Sequence, residues 1–246
     1  MSVAVVTGGS RGIGAATAAL LAERGWDVCI GYLRDREAAE SVRLECQRFG
    51  VKVVVAQGDV ATEEGVTALF AAADAAGVIG ALVNNAGIVG PPERVDEMST
   101  ERMQRMFNVN ALGPFLCARE AVRRMAQSRG GAGGTIVNVG SAASRIGSPN
   151  NYVDYAASKA AIDTMTLGLA KEVAADGIRV NCVRPGVIDT EIHASGGQPN
   201  RAREIAPQIP MQRAGEAVEI ARAIVWLCSE EASYVTGAIL DVSGGR

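Results

Sequence analysis

Histidine occurs once in this 246-residue chain, at His193, and lysine three times, at Lys52, Lys159 and Lys171. The lone histidine lies in a Gly/Ser/Pro-containing stretch with no catalytic-looking serine beside it, which argues against a serine–histidine triad and against a metal cluster. Cys29, Cys46, Cys117, Cys182 and Cys228 show no CxxC spacing and sit mostly in apolar segments. Reduced, buried thiols are the expected state. Although 48% of residues are hydrophobic, no apolar run approaches the ~18 residues that a membrane span needs. No charged segment or small-residue cleavage site precedes the apolar residues 3–6, so a cytoplasmic rather than a secreted protein is expected. A net charge of −3 and a pI near 5.4 weigh against a nucleic-acid binder. Linkers, repeats and low-complexity boundaries are also missing, and one domain over residues 1–246 is the simplest organisation.

What the chain does contain is alternation. Short β-branched runs at residues 3–6, 28–30, 52–56, 81–83, 135–139, 179–183 and 238–242 alternate with Ala-rich, helix-period segments. The helical patterns cover residues 12–24, 36–49, 63–76, 99–127, 152–175 and 216–229. Strands recurring with intervening helices imply right-handed βαβ units. Their continuous apolar character fits strands covered on both faces. The expected fold is therefore α/β, a Rossmann-type doubly wound sheet of seven parallel strands with helices on both sides. Residues 188–210 form the longest irregular stretch, and a segment of that length inside a compact domain commonly serves as a lid or binding loop.

Two sequence features carry chemistry. Thr7-Gly8-Gly9-Ser10-Arg11-Gly12-Ile13-Gly14 lies between the first strand and the first helix, where Gly8, Gly12 and Gly14 permit a tight turn and close backbone approach to a pyrophosphate. Its spacing, Gly-x3-Gly-x-Gly, departs from the common Gly-x-Gly-x2-Gly fingerprint. Tyr155 and Lys159 are four apart in a helical segment and share a face. An ammonium near a phenol favours the phenolate, so the Tyr155 pKa is expected below its ordinary value of about 10.

These motifs, together with Asn84-Asn85-Ala86-Gly87, Asn110, Ser141, Pro185-Gly186-x-Ile188-x-Thr190 and Tyr234-Val235-Thr236-Gly237, occur in an order that resembles the short-chain dehydrogenase/reductase family. The resemblance covers essentially the whole chain. It is similar to the compact branch that includes 3-oxoacyl-carrier-protein reductases and bacterial glucose 1-dehydrogenases. The resemblance implies hydride transfer between NAD(P) and a carbonyl or secondary-alcohol substrate. Tyr155 would move the proton, Lys159 would stabilise the phenolate and hold the nicotinamide ribose, Ser141 would polarise the carbonyl, and Asn110, rather than Asn108, would keep a water chain to Lys159. The implied cofactor residues are Gly8, Ser10, Arg11, Gly12, Ile13 and Gly14; Asp59 and Val60; Asn84, Ala86 and Gly87; Tyr155 and Lys159; and Pro185, Gly186, Ile188 and Thr190. From Ser141 to Tyr155 the chain is one residue longer than the commonest family pattern, and the extra residue is expected within 147–151. Ser144 and Ser148 are rivals to Ser141, and Tyr152 to Tyr155.

Strand two ends without the acid that NAD enzymes often place there, while Arg34 and Arg36 stand near a helix start with Arg11 close by. NADP is expected, with NAD possible; Asp35 is either a helix cap or the ribose ligand. Arg119, Arg123, Arg124, Arg129 and Lys171 are candidates for a basic patch that receives an acidic carrier, or else a solvated face, and sugar oxidation suits the same catalytic set. A catalytically inactive nucleotide-binding regulator is the alternative function. The resemblance further implies a homotetramer, or failing that a homodimer.

Overall fold

The computed structural model describes residues 2–246. Seven strands form its sheet: β1 (Val3–Val6), β2 (Asp27–Tyr32), β3 (Val53–Gln57), β4 (Ile79–Asn84), β5 (Gly134–Val139), β6 (Ile178–Pro185) and β7 (Ile239–Val242). The helices are α1 (Gly12–Glu23), α2 (Arg36–Gln47), α3 (Glu63–Ala76), α4 (Thr100–Phe107), α5 (Gly113–Met125), α6 (Ala143–Ile146), α7 (Val153–Val173), α8 (Ile192–Ser195), α9 (Arg201–Ile205) and α10 (Ala217–Cys228). All pairings are parallel, in the order β3-β2-β1-β4-β5-β6-β7. The expected doubly wound, seven-stranded fold is the one observed.

Alternate strand residues face opposite layers, and this divides the core in two. Val3, Val5, Leu82, Ile136 and Val180 pack with Leu69 and Phe70 of α3, Leu116 of α5 and Ile162 of α7. Ala4, Val6, Val28, Ile30 and Val137 pack with Leu21 of α1, Val42 of α2 and Ile220 and Ile224 of α10. Every residue of β1 is fully buried, consistent with a central strand covered on both faces. All five cysteines are buried and unpaired. Burial pushes four of the thiols up to about 12 and Cys46 to about 11, so they pack as small apolar side chains.

Three expectations are corrected. The single helix over residues 99–127 is two helices joined by a π turn at Asn108–Leu112, where the Gly113 N–H donates to the Asn108 carbonyl five residues back. Pro114 supplies the reason: it has no N–H for the Asn110 carbonyl, and its ring crowds the carbonyl four residues back. Residues 188–210 are not structureless; they contain α8, α9 and a 3-10 turn at Ala206–Gln208. The candidate basic patch is largely neutralised. Arg119 pairs with Glu63 (2.7 Å), Arg123 with Glu120 (2.6 Å) and Arg124 with Asp74 (2.9 Å).

Among the described residues, no helix is long and apolar enough to cross a membrane, and no cluster of three or more His, Cys, Asp or Glu is placed to hold a metal.

Candidate active site

Strand order reverses between β1 and β4, and the loops leaving their carboxyl ends part to form a crevice, the place where ligands bind in open α/β sheets. The glycine turn after β1 forms one wall. Gly8 and Gly12 have φ of +61° and +55°, a region in which a Cβ is strained. At Gly14 a Cβ would lie 2.3 Å from the Gly8 carbonyl oxygen. Arg11, the residue before α1, makes no side-chain cap, so the first-turn N–H groups of α1 remain available at the positive end of the helix dipole. An anionic pyrophosphate fits this cradle.

Thr7 and Asn85 hold the turn in place. The Thr7 hydroxyl donates to the Val83 carbonyl (3.3 Å) and accepts from the Asn85 N–H (3.0 Å) and the Ala86 N–H (2.9 Å). Asn85 Nδ2 donates to the carbonyls of Thr7 (2.9 Å) and Gly8 (3.0 Å). Asn85 is a residue that the sequence reading missed. The expected Asn84 side chain turns the other way: buried, it donates to Asn138 Oδ1 (2.9 Å) and to the Pro114 carbonyl (3.3 Å). Its Nδ2 is therefore part of the scaffold, while its Oδ1 is buried without a partner. Ala86 and Gly87 follow it along the crevice rim.

Ser141, Tyr155 and Lys159 converge at the mouth of the crevice and line one cavity with Gly87, Pro185, Gly186, Ile188 and Thr190. Ser141 follows β5 directly, and its hydroxyl accepts from the Ala143 N–H (3.1 Å). The rival Ser144 is committed elsewhere, donating to the Ser141 carbonyl (2.9 Å). The longer segment before Tyr155 is absorbed in a turn where Gly147, Ser148 and Asn150 all have positive φ, within the expected residues. Tyr152 precedes α7, and its ring meets that of Tyr155 edge-on at 5.9 Å.

Lys159 is 5% exposed and donates to the Val139 carbonyl (2.8 Å). Its ammonium lies 5.9 Å from the centre of the Tyr155 ring. The expected lowering of the Tyr155 pKa is not what the site produces. Burial of the phenol dominates and holds its pKa above 10, although the Ser141 hydroxyl beside it favours the ionised form. The neutral phenol is a proton donor. Burial also pulls Lys159 down to about 8, with Cys182 and Asp163 opposing.

Asn110 sits in the π turn, fully buried, whereas Asn108 is exposed. Its Oδ1 accepts from the Ile88 N–H (2.8 Å), and its Nδ2 donates to the Ile88 carbonyl (2.9 Å) and to Ser158 Oγ (3.2 Å). A Cβ built on Gly87 would lie 3.3 Å from Asn110 Oδ1 and 3.5 Å from Lys159 Nζ, so Gly87 separates these two groups.

A second support was illegible in the sequence. Asp154 takes two bonds from Arg102 (2.9 and 3.3 Å) and one from the Tyr155 N–H (2.9 Å), and Arg102 also pairs with Glu93 (2.6 Å). This nearly buried ion pair fixes the first turn of α7, which carries Tyr155, against α4. The outer cavity wall adds Val89, His193 and Arg201, none of them anticipated.

At the adenosine end, Asp59 Oδ1 accepts from the Ala61 N–H (3.0 Å), and Val60 follows it with its carbonyl close to Gly113. Asp35 caps α2, accepting from the Ala38 N–H (2.9 Å), as the cap reading has it. Arg11, Arg34 and Arg36 are exposed and have no carboxylate within ion-pair distance among the described residues.

A crevice that seats a dinucleotide pyrophosphate and presents a neutral phenol at its mouth defines an oxidoreductase acting on alcohol or carbonyl groups. Comparison with known proteins agrees. The family model for enoyl-(acyl carrier protein) reductase matches residues 8–246. Uncharacterized oxidoreductase YgfF of Escherichia coli K12 is 55% identical over 100% of both chains. Glucose 1-dehydrogenase 2 of Bacillus subtilis is 39% identical over 98% of this chain and 93% of its own. A short-chain dehydrogenase of Burkholderia cenocepacia, solved with NADP, superposes with a TM-score of 0.90 at 33% identity, covering 99% of this chain and 97% of its own. The chain belongs to the short-chain dehydrogenase/reductase family. None of these likenesses supports an inactive regulator.

The buried lysine has a measurable consequence for stability. Its pKa in the folded chain, about 8, lies below the value of 10.5 expected when unfolded, so across that interval the unfolded chain binds more protons and stability rises with pH. Lys159→Met removes this contribution. The variant is expected to be more stable than the parent below pH 8, by on the order of 2 kcal/mol once the lost bond to Val139 is counted. Urea denaturation of both proteins without cofactor should show the difference narrowing as pH climbs to 10.5. A difference that is constant with pH would contradict the assignment.

Proposed function

We propose that this chain, acting as a single domain over residues 1–246, interconverts a small-molecule ketone or aldehyde and the corresponding alcohol, with NADP preferred over NAD. The observation that carries the reading is the convergence of Ser141, Tyr155, Lys159 and Asn110 on one crevice beside the glycine cradle. When bound, the cofactor supplies the hydride that reaches the carbonyl carbon. Tyr155 gives its proton to the carbonyl oxygen, which suits a phenol held neutral. Ser141 donates to the same oxygen as negative charge develops. Lys159 stabilises the phenolate left behind and binds the nicotinamide ribose. Asn110 holds water through its main-chain carbonyl, for which Pro114 offers no N–H, and thereby resupplies the proton by way of Lys159. Pro185, Gly186, Ile188 and Thr190 hold the nicotinamide end, and Asp59 and Val60 the adenine end.

Tyr155→Phe removes only the proton-transferring oxygen. It is expected to bind NADPH like the parent while losing most turnover, by on the order of a thousandfold. Cofactor fluorescence and steady-state rates across a panel of carbonyl compounds measure the two quantities. Near-normal turnover in the purified variant would exclude Tyr155 as the donor.

The preference for NADP rests on Arg11, Arg34 and Arg36, cations without acidic partners beside the starts of α1 and α2, and on Asp35 being spent as a cap. A 2′-phosphate supplies the missing anion. Losing one such contact should cost roughly 1.5–3 kcal/mol, about ten- to a hundredfold in affinity. Arg34→Ala or Arg36→Ala is expected to weaken NADP by that factor and NAD far less, read by titration at fixed ionic strength. Equal losses for both cofactors would return these arginines to the solvated surface.

The same reading extends to assembly and location. Phe107 and Phe115 beside the π turn, with Val153 and Leu167 on the neighbouring α7, leave large apolar side chains exposed, which favours a homotetramer, or a homodimer, burying these helices. Five free buried thiols fit the reducing cytoplasm. Light scattering at micromolar concentration should give at least twice the 25.5 kDa chain mass; a monomer would contradict the assembly.

A further inference from the structure

The cavity that holds Tyr155 has two unlike ends. Between them run apolar walls that include Val89, Ile146, Val187 and Ile192. The inner end is the Ser141–Tyr155 pair. At the outer end stands Arg201, the first residue of α9, with its guanidinium 5.0 Å above the ring of Tyr152. That ring in turn meets the ring of Tyr155. The cation is thus held one aromatic ring away from the phenol, fixed by a cation–π contact rather than free to follow solvent.

Its bonding is incomplete. Nη1 donates to Gln198 Oε1 (2.8 Å), a neutral partner, and no carboxylate reaches Arg201 among the described residues. Asp189 faces His193, and the carboxyl end of the chain is held at Arg246, whose oxygen accepts from Arg145 (2.8 Å) and Ser243 (2.8 Å). Burial raises the Tyr152 pKa, opposed by positive potential from Arg201 and Arg246, and Arg201 also acts downward on His193. His193 is held below its ordinary pKa chiefly by burial, and as the neutral ring it donates Nε2–H to the Ile188 carbonyl (2.9 Å). The outer end therefore offers guanidinium donors in a mostly apolar cavity, and no carboxylate is within ion-pair distance of Arg201 among the described residues. A half-buried arginine of this kind matches a carboxylate, which accepts two parallel N–H bonds.

We propose that the substrate is an oxo acid, or the corresponding hydroxy acid, whose carboxylate sits on Arg201 while its carbonyl sits at Tyr155. This rests on the carbonyl-reductase reading and names the substrate class of the same site. Because the Tyr152 ring lies between the two groups, the carboxylate and the reacting carbon are separated by several bonds, with an apolar spacer along Val89 and Ile192. In reduction, hydride adds to the carbonyl carbon, the C=O π pair moves onto oxygen, and that oxygen takes the Tyr155 proton. The carbonyl is reduced, the cofactor is oxidised, and the carboxylate is unchanged.

The test uses levulinate and its next two higher homologues, each beside its methyl ester, with NADPH and the full-length protein. At least one acid should exceed its ester about tenfold or more in kcat/KM. In Arg201→Gln that acid-to-ester ratio should fall close to one, the loss appearing as a ten- to hundredfold rise in KM for the acid with kcat little altered, roughly as expected for one charge-assisted pair. Arg201→Lys, which keeps the charge but not the fork, should fall between. Should Arg201→Gln not fold, the ratio in the parent protein and its decline with added salt decide the matter alone. Esters reduced as well as acids by the parent protein would overturn the oxo-acid assignment and leave carbonyl reduction standing. If no acid or ester turns over while other carbonyl compounds do, the oxo-acid assignment falls alone; if no carbonyl compound turns over with protein that binds NADPH, both readings fall.

Discussion

One hydroxyl, that of Thr7, joins the two halves of the sheet where their loops must part. It is 2% exposed and uses its full bonding capacity, giving its proton to Val83 and receiving the N–H groups of Asn85 and Ala86. Each bond is worth only about 1 kcal/mol net, but leaving any of these buried groups unmet would cost more. Asn85 returns the tie by donating to the Thr7 and Gly8 carbonyls. The glycine turn is thus hung from β4, and its reach over the crevice is set from the far wall. Gly14 has no room for a side chain because this latch brings the Gly8 carbonyl and Asn85 against it. The aim of the α1 N-terminus, and with it the seat of any pyrophosphate, follows from that contact.

A second constraint works against stability. Burial lowers the Lys159 ammonium to about 8, even though its Nζ–H is bonded to the Val139 carbonyl. The cavity beside it also keeps Tyr155 neutral. Burying both groups raises the demand on backbone precision, since neither can be relocated by solvent. The Arg102–Asp154 pair meets this demand at one end of the helix, with Asp154 accepting the Tyr155 N–H itself. At the other side of the lysine, the π turn sets Asn110 into the interior with its amide fully bonded to Ile88 and Ser158. A regular helix through Pro114 would not deliver that side chain in the same place.

What could be read from the chain beforehand was whatever local pattern determines. Strands announce themselves as apolar runs, and all seven were legible, including the edge strand β7, none of whose residues is buried. That Tyr155 and Lys159 share one face of α7 was legible from their spacing, and that Ser141 joins them on one cavity was legible from the family resemblance and its place at the end of β5. The turn that absorbs the extra residue before Tyr155 also fell where glycine and asparagine allow positive φ. The rest depends on partners distant in sequence. Arg119 and Arg124 meet acids on α3 some fifty residues earlier, so a run that reads as a basic patch is mostly paired. Asn84 and Asn85 are adjacent, and only the register of β4 decides that the first faces Asn138 while the second faces the turn. The π turn had a local signal, Pro114 inside a helical pattern. The lowered Tyr155 pKa failed for a different reason: proximity of an ammonium was weighed without the burial that outweighs it.

The distribution of charge explains how an acidic chain serves anionic ligands. The net charge is −3, yet cations without acidic partners gather at both ends of the crevice: Arg11, Arg34 and Arg36 by the starts of α1 and α2, and Arg201 by α9. Several other arginines, among them Arg119, Arg123 and Arg124 on α5 and Arg213 before α10, are instead neutralised in ion pairs. Local potential, not the total, governs what enters a cleft with low-dielectric walls. The two ends are built differently. The cofactor end is made of strand termini and long helices, whose positions the whole sheet enforces. The substrate end is made of one-turn helices after β6, capped by no side chain, and held by contacts such as Arg201 on Tyr152. Segments with weak intrinsic preference can be re-sequenced without disturbing the sheet. Substrate choice therefore lies where the fold constrains the chain least, and cofactor seating where it constrains the chain most.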